Sequence, residues 1–546
     1  MIVSAERTRS ALASYISELI HDETFVGDQS LTSYDQVPYP SLAHVQTHPD
    51  RLATIATLFG LQTAPVERCR VLELGCGDGM NLISMAHGLP QSEFFGIDSA
   101  GRAIAQGNQT IDDLSLDNVR LQQLDLMEFA ANEGAFDYII AHGVYSWVPD
   151  PVRDRILAIC SECLSQNGIA YVSYNAYPGG HIRDMVREMM LFHVRGAADA
   201  EQKIAQGRAL LKFLAGSKKE PNLYGELLEK ELEHAIEYSD AAFYHDDLNP
   251  LTRPIYFHRF VEHAAAHGLQ FLGDAMFNEM QPEEYEPAVM TALRELDNDI
   301  LAREQYLDFL MGRRFRRTLL CRREVSLDHK IQPGVIANFY AASEAQPTSP
   351  EPSVSSNDTE EFRTRKGASI RTNRPLAKAT MLHLSQQWPR SISFPDLLAA
   401  ARRLAFTEKD ETENRVALCE ILLRSFAAGV TELHVWAPSF VTYVSEHPIA
   451  SPVARYQNRR TKRVTTLRHT GLELNDALSR NLLELLDGTR DFTALVEAMA
   501  AVVQTGKATL EANGQPVSDP VKIRDMIADE LPSVLNGLAR SAVLVG

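Results

Sequence analysis

The sequence predicts a doubly wound α/β sheet of seven strands, broken by a helical insertion and followed by a mainly helical, winged-helix-like C-terminal extension. Three observations predict it. Strand-like apolar runs alternate with stretches of helical length between Arg70 and Glu324, a glycine-rich turn joins the first run to a helix, and beyond Leu376 helical patterns dominate. The divisions that follow are an N-terminal helical lid segment (1–68), a core holding the first five strands (69–177), a helical insertion (178–255), the completion of the sheet (256–342), a linker (343–375) and the extension (376–546).

The first five strands are Arg70–Leu74, Glu93–Ile97, Val119–Leu124, Phe136–Ala141 and Ile169–Tyr174, each apolar or β-branched and closed by Gly or Asp. Segments of helical length separate them, so the right-handed crossover rule winds helices onto both faces. From Pro178 to Arg253 the pattern turns helical, as in VREMMLFHV and GELLEKELEHAIEYSDAAFYH. The helix FHRFVEHAAAHG then ends at Gly268, and LQFLGDAMF and FRRTLLCRREV are expected to close the same sheet. Ser343–Pro375 has hardly any large apolar residues and reads as a flexible tether. Past it, MLHLSQQW, FPDLLAAARRLA and NRVALCEILLRSFAAG are three amphipathic helices before the strand-like VTELHVW, which together suggest a winged helix, and SRNLLELLDGTRDFTALVEAMA opens a further helical unit.

Composition narrows the function. The 546 residues include 53 Lys and Arg against 72 Asp and Glu, a net charge of −19 that disfavours general binding to nucleic acid or anionic membranes. No run of about 18 uncharged apolar residues occurs, so membrane insertion is not expected. Six cysteines without a secretory leader predict a reducing, cytoplasmic setting.

The strongest chemical signal is VLELGCGDGM, in which Gly75, Gly77 and Gly79 follow the first strand and open a helix. Asp98 ends the second strand, 23 residues past Gly75, where a carboxylate can accept both hydroxyls of a ribose. Met80 occupies the position at which a dinucleotide fingerprint needs its third glycine. Glu73 would repel a pyrophosphate and attract an ammonium, and Asp125 is placed to accept from an adenine amine. A ligand with an ammonium, a ribose and an adenine amine is S-adenosylmethionine.

With these residues, the chain from roughly 34 to 325 resembles the class I S-adenosylmethionine-dependent methyltransferases, which implies a Rossmann-like methyltransferase sheet closed by an antiparallel pair. SYDQVPYPSLAHVQTHPDRLATIATLFG, AHGVYSWVPDPVRDRIL, YNAYPGG and YHDDLNPLTRPIYFHRFVEHAAAHGLQFL are similar to bacterial members carrying a methyltransferase regulatory domain, and to bacterial protein-lysine methyltransferases of outer-membrane proteins. The resemblance implies cofactor contacts at Glu73, Gly75, Cys76, Gly77, Asp98, Asp125 and His142, with Tyr34, Gln46 and Arg51 as lid contacts. His142, Tyr145 and Tyr177, at the ends of the fourth and fifth strands, are the candidate catalytic residues, beside Trp147, Tyr174 and Asn175. Partners implied are a protein substrate, an outer-membrane protein among them, and a second copy in a homodimer. A small-molecule or lipid acceptor, and a cofactor-sensing regulator that binds DNA through its extension, are the alternatives.

Other clusters carry less. Cys160 and Cys163 form C-x-x-C in a helical run without a second pair, so they are expected in a core, and no metal is expected. His263 and His267 share a helix face apart from His258, but no carboxylate motif accompanies them. His245, Asp246 and Asp247 sit where the insertion returns to the sheet. Arg455, Arg459, Arg460, Lys462 and Arg463 form the densest basic run of the extension, and Arg313, Arg314, Arg316 and Arg317 are expected to pair with Glu283, Glu284 and Glu286.

Overall fold

In the computed structural model, the residues described are 37, 39, 42–216, 222–282, 285–406, 410–512 and 514–546. The described residues form two compact units: 176–254 with 312–314, 37 and 39, and 42–175 with 255–311 and 315–546.

The larger unit holds the seven-stranded sheet: β1 (Arg70–Leu74), β2 (Glu93–Asp98), β3 (Val119–Gln123), β4 (Phe136–Ala141), β5 (Leu164–Asn175), β6 (Leu269–Asp274) and β7 (Phe315–Arg322), in the order β3-β2-β1-β4-β5-β7-β6. The first five are parallel, and β7 runs antiparallel to both neighbours. Val71, Leu72 and Leu74 are wholly buried, as a central parallel strand covered on both faces requires. β5 starts earlier than its apolar run suggests. Its pairing with β4 jumps between Phe136 and Tyr138, and that irregularity absorbs the polar Ser165–Gly168.

Arg316 on β7 is fully buried, and its guanidinium donates to Asp308 (2.8–3.1 Å) and Glu304 (3.1 Å) over the face of Phe257. Arg316 therefore takes its acidic partners from the helix Ile300–Met311, Arg314 reaches Glu231 and Arg317 pairs with Glu279, while Glu283 and Glu284, expected as partners of this basic run, lie outside the described residues. A buried guanidinium needs partners close enough to offset its lost hydration, and one turn of a packed helix supplies two.

The expected tether is ordered. β9 (Gln346–Pro347), β10 (Glu360–Arg363) and β11 (Ser369–Thr372) form an antiparallel sheet, and Phe362 anchors it against Ala345, Met381 and Val430. One large side chain thus fixes a segment whose composition suggested disorder. β8 (Tyr340–Ala342) lies between β12 (Ile392–Ser393) and β13 (Glu432–His434), so the sequence on either side of that segment is sewn together. Six helices of the extension start behind a capping Ser or Asp: Ser393, Asp410, Ser451, Asp476, Asp491 and Asp519.

The extension packs within the same unit as the sheet. Thr110 meets the hydroxyl of Tyr456 at 3.0 Å, Phe277 stacks on Phe426, and Asp50, in the helix Pro49–Leu58, accepts from His434 at 2.7 Å and from the Trp436 amide at 3.0 Å. A buried polar seam continues around Asp50: Arg51 and Arg468 both reach Glu432.

The smaller unit contains the helices Gly180–His193, Ala200–Ala215 and Leu223–Glu237, packed through Val186, Met190, Leu211, Leu228 and Phe243. His245 and Asp247 are buried in it, and Arg183 binds Asp247 at 2.8 Å.

A chain cut after Ala342 should not behave as an independent domain, because Asp50 loses its partners and Phe277 its cover. Loss of a buried partner alone costs about 3–5 kcal/mol. We expect aggregation or a melting temperature well below that of the full chain; a soluble truncated chain with unchanged melting would contradict this packing.

Candidate active site

The strand order reverses between β1 and β4, and the crevice outside their carboxyl ends is where open α/β sheets bind ligands. Gly75, Gly77 and Gly79 turn the chain there with φ of +73°, +58° and +70°, values that side chains rarely adopt. A Cβ on Gly75 would come within 2.4 Å of Val144, whereas one on Gly77 would meet nothing within 4 Å. The first glycine permits close packing; the second leaves open space above the backbone. The half-buried Asp98 accepts the amide hydrogens of Gly77 and Ala100, both at 2.8 Å. Asp125 is exposed and accepts from the Met127 amide. Burial, then the charge of Glu73, pushes the Cys76 thiol well above its ordinary range, so it is no nucleophile.

Glu73 is 4% exposed. Its Oε1 accepts from Asn81 Nδ2 at 2.9 Å, and its Oε2 has no hydrogen-bond partner among the described residues. Burial raises its pKa to about 8, against the help of Asn81 and with a further push from Asp78 and Asp98. An orphaned carboxylate oxygen beside an open glycine turn fits a ligand ammonium, and the half-buried Asp98 fits ribose hydroxyls. Asn81 Oδ1 also accepts from the His44 amide and from His469 Nε2, each at 2.9 Å.

On the far side of β4, His142 Nδ1 contacts the hydroxyls of Tyr171 (3.0 Å) and Ser173 (3.2 Å), while its ring lies 4.0 Å from that of His44. Gln46 lies beside the Tyr171 hydroxyl. Burial, then the neighbouring His44 and Arg317, holds the His142 pKa well below 6.5, so the ring is neutral near pH 7 and one nitrogen is an acceptor.

The structure thus brings Glu73, Gly75, Cys76, Gly77 and Asp98 together, and sets Gln46 beside His142 through Tyr171. Arg51, expected over the cofactor, is committed to Glu432. Tyr145 is fully buried, its hydroxyl 2.8 Å from His263 Nδ1 and its ring against Phe260 and Tyr174. Tyr174 is equally buried and bonded to Thr318, so the expected aromatic wall is core packing. Tyr177 belongs to the smaller unit, where it donates to Asp184 at 2.9 Å and stacks on His181. Tyr34 lies outside the described residues. Asn81, Tyr171, Ser173, His44 and His469 were not anticipated. Alternation along β5 could have shown two of them, since Tyr171 and Ser173 share a face opposite to Tyr174. Asp154 supplies the carboxylate that the sequence pattern lacked, meeting His263 and His267 at 3.3 and 2.9 Å, with the three donor atoms within 4.8 Å of one another. Cys160 and Cys163 are buried in the same helix as Asp154.

Comparison with known proteins agrees with this geometry. Residues 71–168 match the family model described as "Methyltransferase domain", 239–322 the "Predicted methyltransferase regulatory domain", and 446–543 the "PKMT, C-terminal winged helix domain". The uncharacterized protein RP789 of Rickettsia prowazekii is 32% identical over 96% of this chain and 98% of its own length. The structure of PKMT2 from Rickettsia typhi in complex with AdoHcy is 29% identical, covers 93% of this chain and all of its own, and superposes with a TM-score of 0.85. The chain belongs to the class I S-adenosylmethionine-dependent methyltransferases. The methyltransferase's cofactor is accordingly S-adenosylmethionine. RP028 of Rickettsia prowazekii, 40% identical over 42% of this chain and 93% of its own length, is a further relative. The winged helix of the methyltransferase lies at 446–543, downstream of the three helices that suggested one; those helices instead pack around β8, β12 and β13.

Two outcomes follow for cofactor binding. Asp98→Ala should weaken S-adenosylhomocysteine by about 1–3 kcal/mol in calorimetry, the scale of a charged hydrogen-bond partner. Glu73 without ligand is largely protonated at pH 6 and must release that proton before it can face an ammonium. Affinity should therefore rise from pH 6 to 7.5, by up to about tenfold per unit, with proton release detectable in buffers of different ionisation enthalpy. The rise should be absent in Glu73→Gln.

Proposed function

We propose that this methyltransferase transfers methyl groups to lysine side chains of a protein, with an outer-membrane protein as one candidate substrate. The observation that carries the reading is the whole-chain likeness to PKMT2, extension included, together with the match of 446–543 to the PKMT winged helix.

S-adenosylmethionine supplies an electrophilic methyl group on a sulfonium. In this reading Glu73 faces its amino group, Asp98 its ribose, Asp125 its adenine amine, and the backbone from Gly75 through Cys76 to Gly77 admits it closely. Methyl transfer is an in-line displacement, so positioning and exclusion of water provide most of the acceleration. A lysine, with a reference pKa of about 10.4, must lose a proton before it attacks. His142, neutral and fixed by Tyr171 and Ser173, is the acceptor we assign.

Incubation of the full chain with labelled cofactor and lysate, then digestion and mass spectrometry, should find label on lysines. Label confined to lipid or small molecules would overturn the protein reading. His142→Ala should lower turnover on that substrate by at least about a hundredfold if the histidine takes the proton, and should affect turnover far more than cofactor affinity.

We also infer a homodimer through the insertion, where Phe192, Leu223 and Ile236 are 70%, 81% and 63% exposed. Light scattering should give twice the chain mass, and Leu223→Glu with Ile236→Glu should return it to the monomer.

A further inference from the structure

The C-terminal extension delivers one side chain to the cofactor end of the sheet. His469 lies in the turn between β14 (Arg463–Thr465) and β15 (Gly471–Glu473), within the winged-helix match, yet its ring is buried and its Nε2 is 2.9 Å from Asn81 Oδ1. Asn81 opens the helix after the glycine turn and gives its Nδ2 to Glu73.

The directions of these bonds are forced. The His44 amide can only donate, so the atom of Asn81 that receives it is the oxygen; the atom facing the Glu73 carboxylate must then be the nitrogen. An oxygen can only accept, so His469 carries its hydrogen on Nε2. Burial, with His48 and His44 adding, keeps that ring uncharged. The result is a one-way relay: His469 donates to Asn81, and Asn81 donates to Glu73. Fixing both ends of the amide leaves Glu73 one free oxygen, Oε2, whose orientation is set by the bond to Oε1. The backbone adds a second sign of constraint. His469 holds φ at +57°, a left-handed conformation that costs a β-carbon-bearing residue energy and persists where the surroundings require it.

We propose that His469 is a positioning residue for the cofactor: through Asn81 it holds the Glu73 carboxylate where it receives the amino group of S-adenosylmethionine. The inference rests on the reading that Glu73 faces that group. It makes the extension part of the cofactor site, acting on the amino-acid end of the ligand and not on the nucleoside.

Two probes separate those ends. S-adenosylhomocysteine carries the amino acid; 5′-methylthioadenosine keeps the nucleoside and lacks it. In the full-length chain, His469→Gly removes the ring and relieves the left-handed backbone, two changes that act on the fold in opposite senses, while His469→Gln keeps the buried volume filled. We expect about a tenfold loss of affinity for S-adenosylhomocysteine in His469→Gly and unchanged affinity for 5′-methylthioadenosine, the second probe reporting that the site is still folded. His469→Gln, whose amide nitrogen reaches about as far as the imidazole Nε2, should restore most of the loss. With substrate, KM for S-adenosylmethionine should rise more than kcat falls. Equal loss for both probes, or no loss for either, would overturn the relay. A parent chain that binds 5′-methylthioadenosine as tightly as S-adenosylhomocysteine would show that Glu73 does not face an amino group, and would remove the reading on which the relay stands.

Discussion

A buried carboxylate must be met by hydrogen bonds or positive charge, and Asp50 finds a hydrogen-bond partner 384 residues further along the chain, at His434. This one contact fixes the short segment from His44 to Asp50 in place. On one side that segment touches Asn81 through His44 and Thr47; on the other, His48 stacks on Trp436 and approaches His469. The segment closes the cofactor end of the sheet, and it is held closed by the extension. Pro49 and the His48 ring, which accepts from the Asp50 amide, start the helix at the point where the seam begins.

Two glutamates show what the site lacks without its ligand. Glu432 and Glu73 are both buried carboxylates, and burial alone would raise both. Arg51 and Arg468 hold Glu432 well below the ordinary range, while Glu73 has no cation near it among the described residues and rises to about 8. The protein completes one carboxylate itself and leaves the other to be completed by a cationic ligand. A permanent arginine at Glu73 would make a more stable apo-protein and would close the site to an amine.

The sheet and the glycine turn were legible because their signals are local. Apolar runs of strand length, Gly75, Gly77 and Gly79 after the first of them, and Asp98 at the end of the second need no knowledge of distant residues. The extension was legible as helices but not as a docked body, because Phe362 and Asp50 act through partners that the sequence does not announce. A proline- and serine-rich run looked like a tether since composition counts residues, and one buried phenylalanine outweighs many small ones. Tyr145 and Tyr174 were misjudged for a related reason: proximity to a strand end does not say which face a ring takes. His469 left no trace at all, as a single histidine in a basic turn has no pattern of its own.

The position of β7 also sets the order in which the chain can fold as it is made. β6 pairs with β7, and β5 keeps an open edge until β7 arrives. At about 5–20 residues per second, the 40 residues between Asp274 and Phe315 take roughly 2–8 s to synthesise. During that interval Phe271 and Leu272 have no sheet to join, and Glu304 and Asp308 emerge before the arginine that neutralises them. The nascent chain therefore presents an unpaired strand edge on the ribosome, and a holdase chaperone that covers exposed apolar strands would find its natural target there.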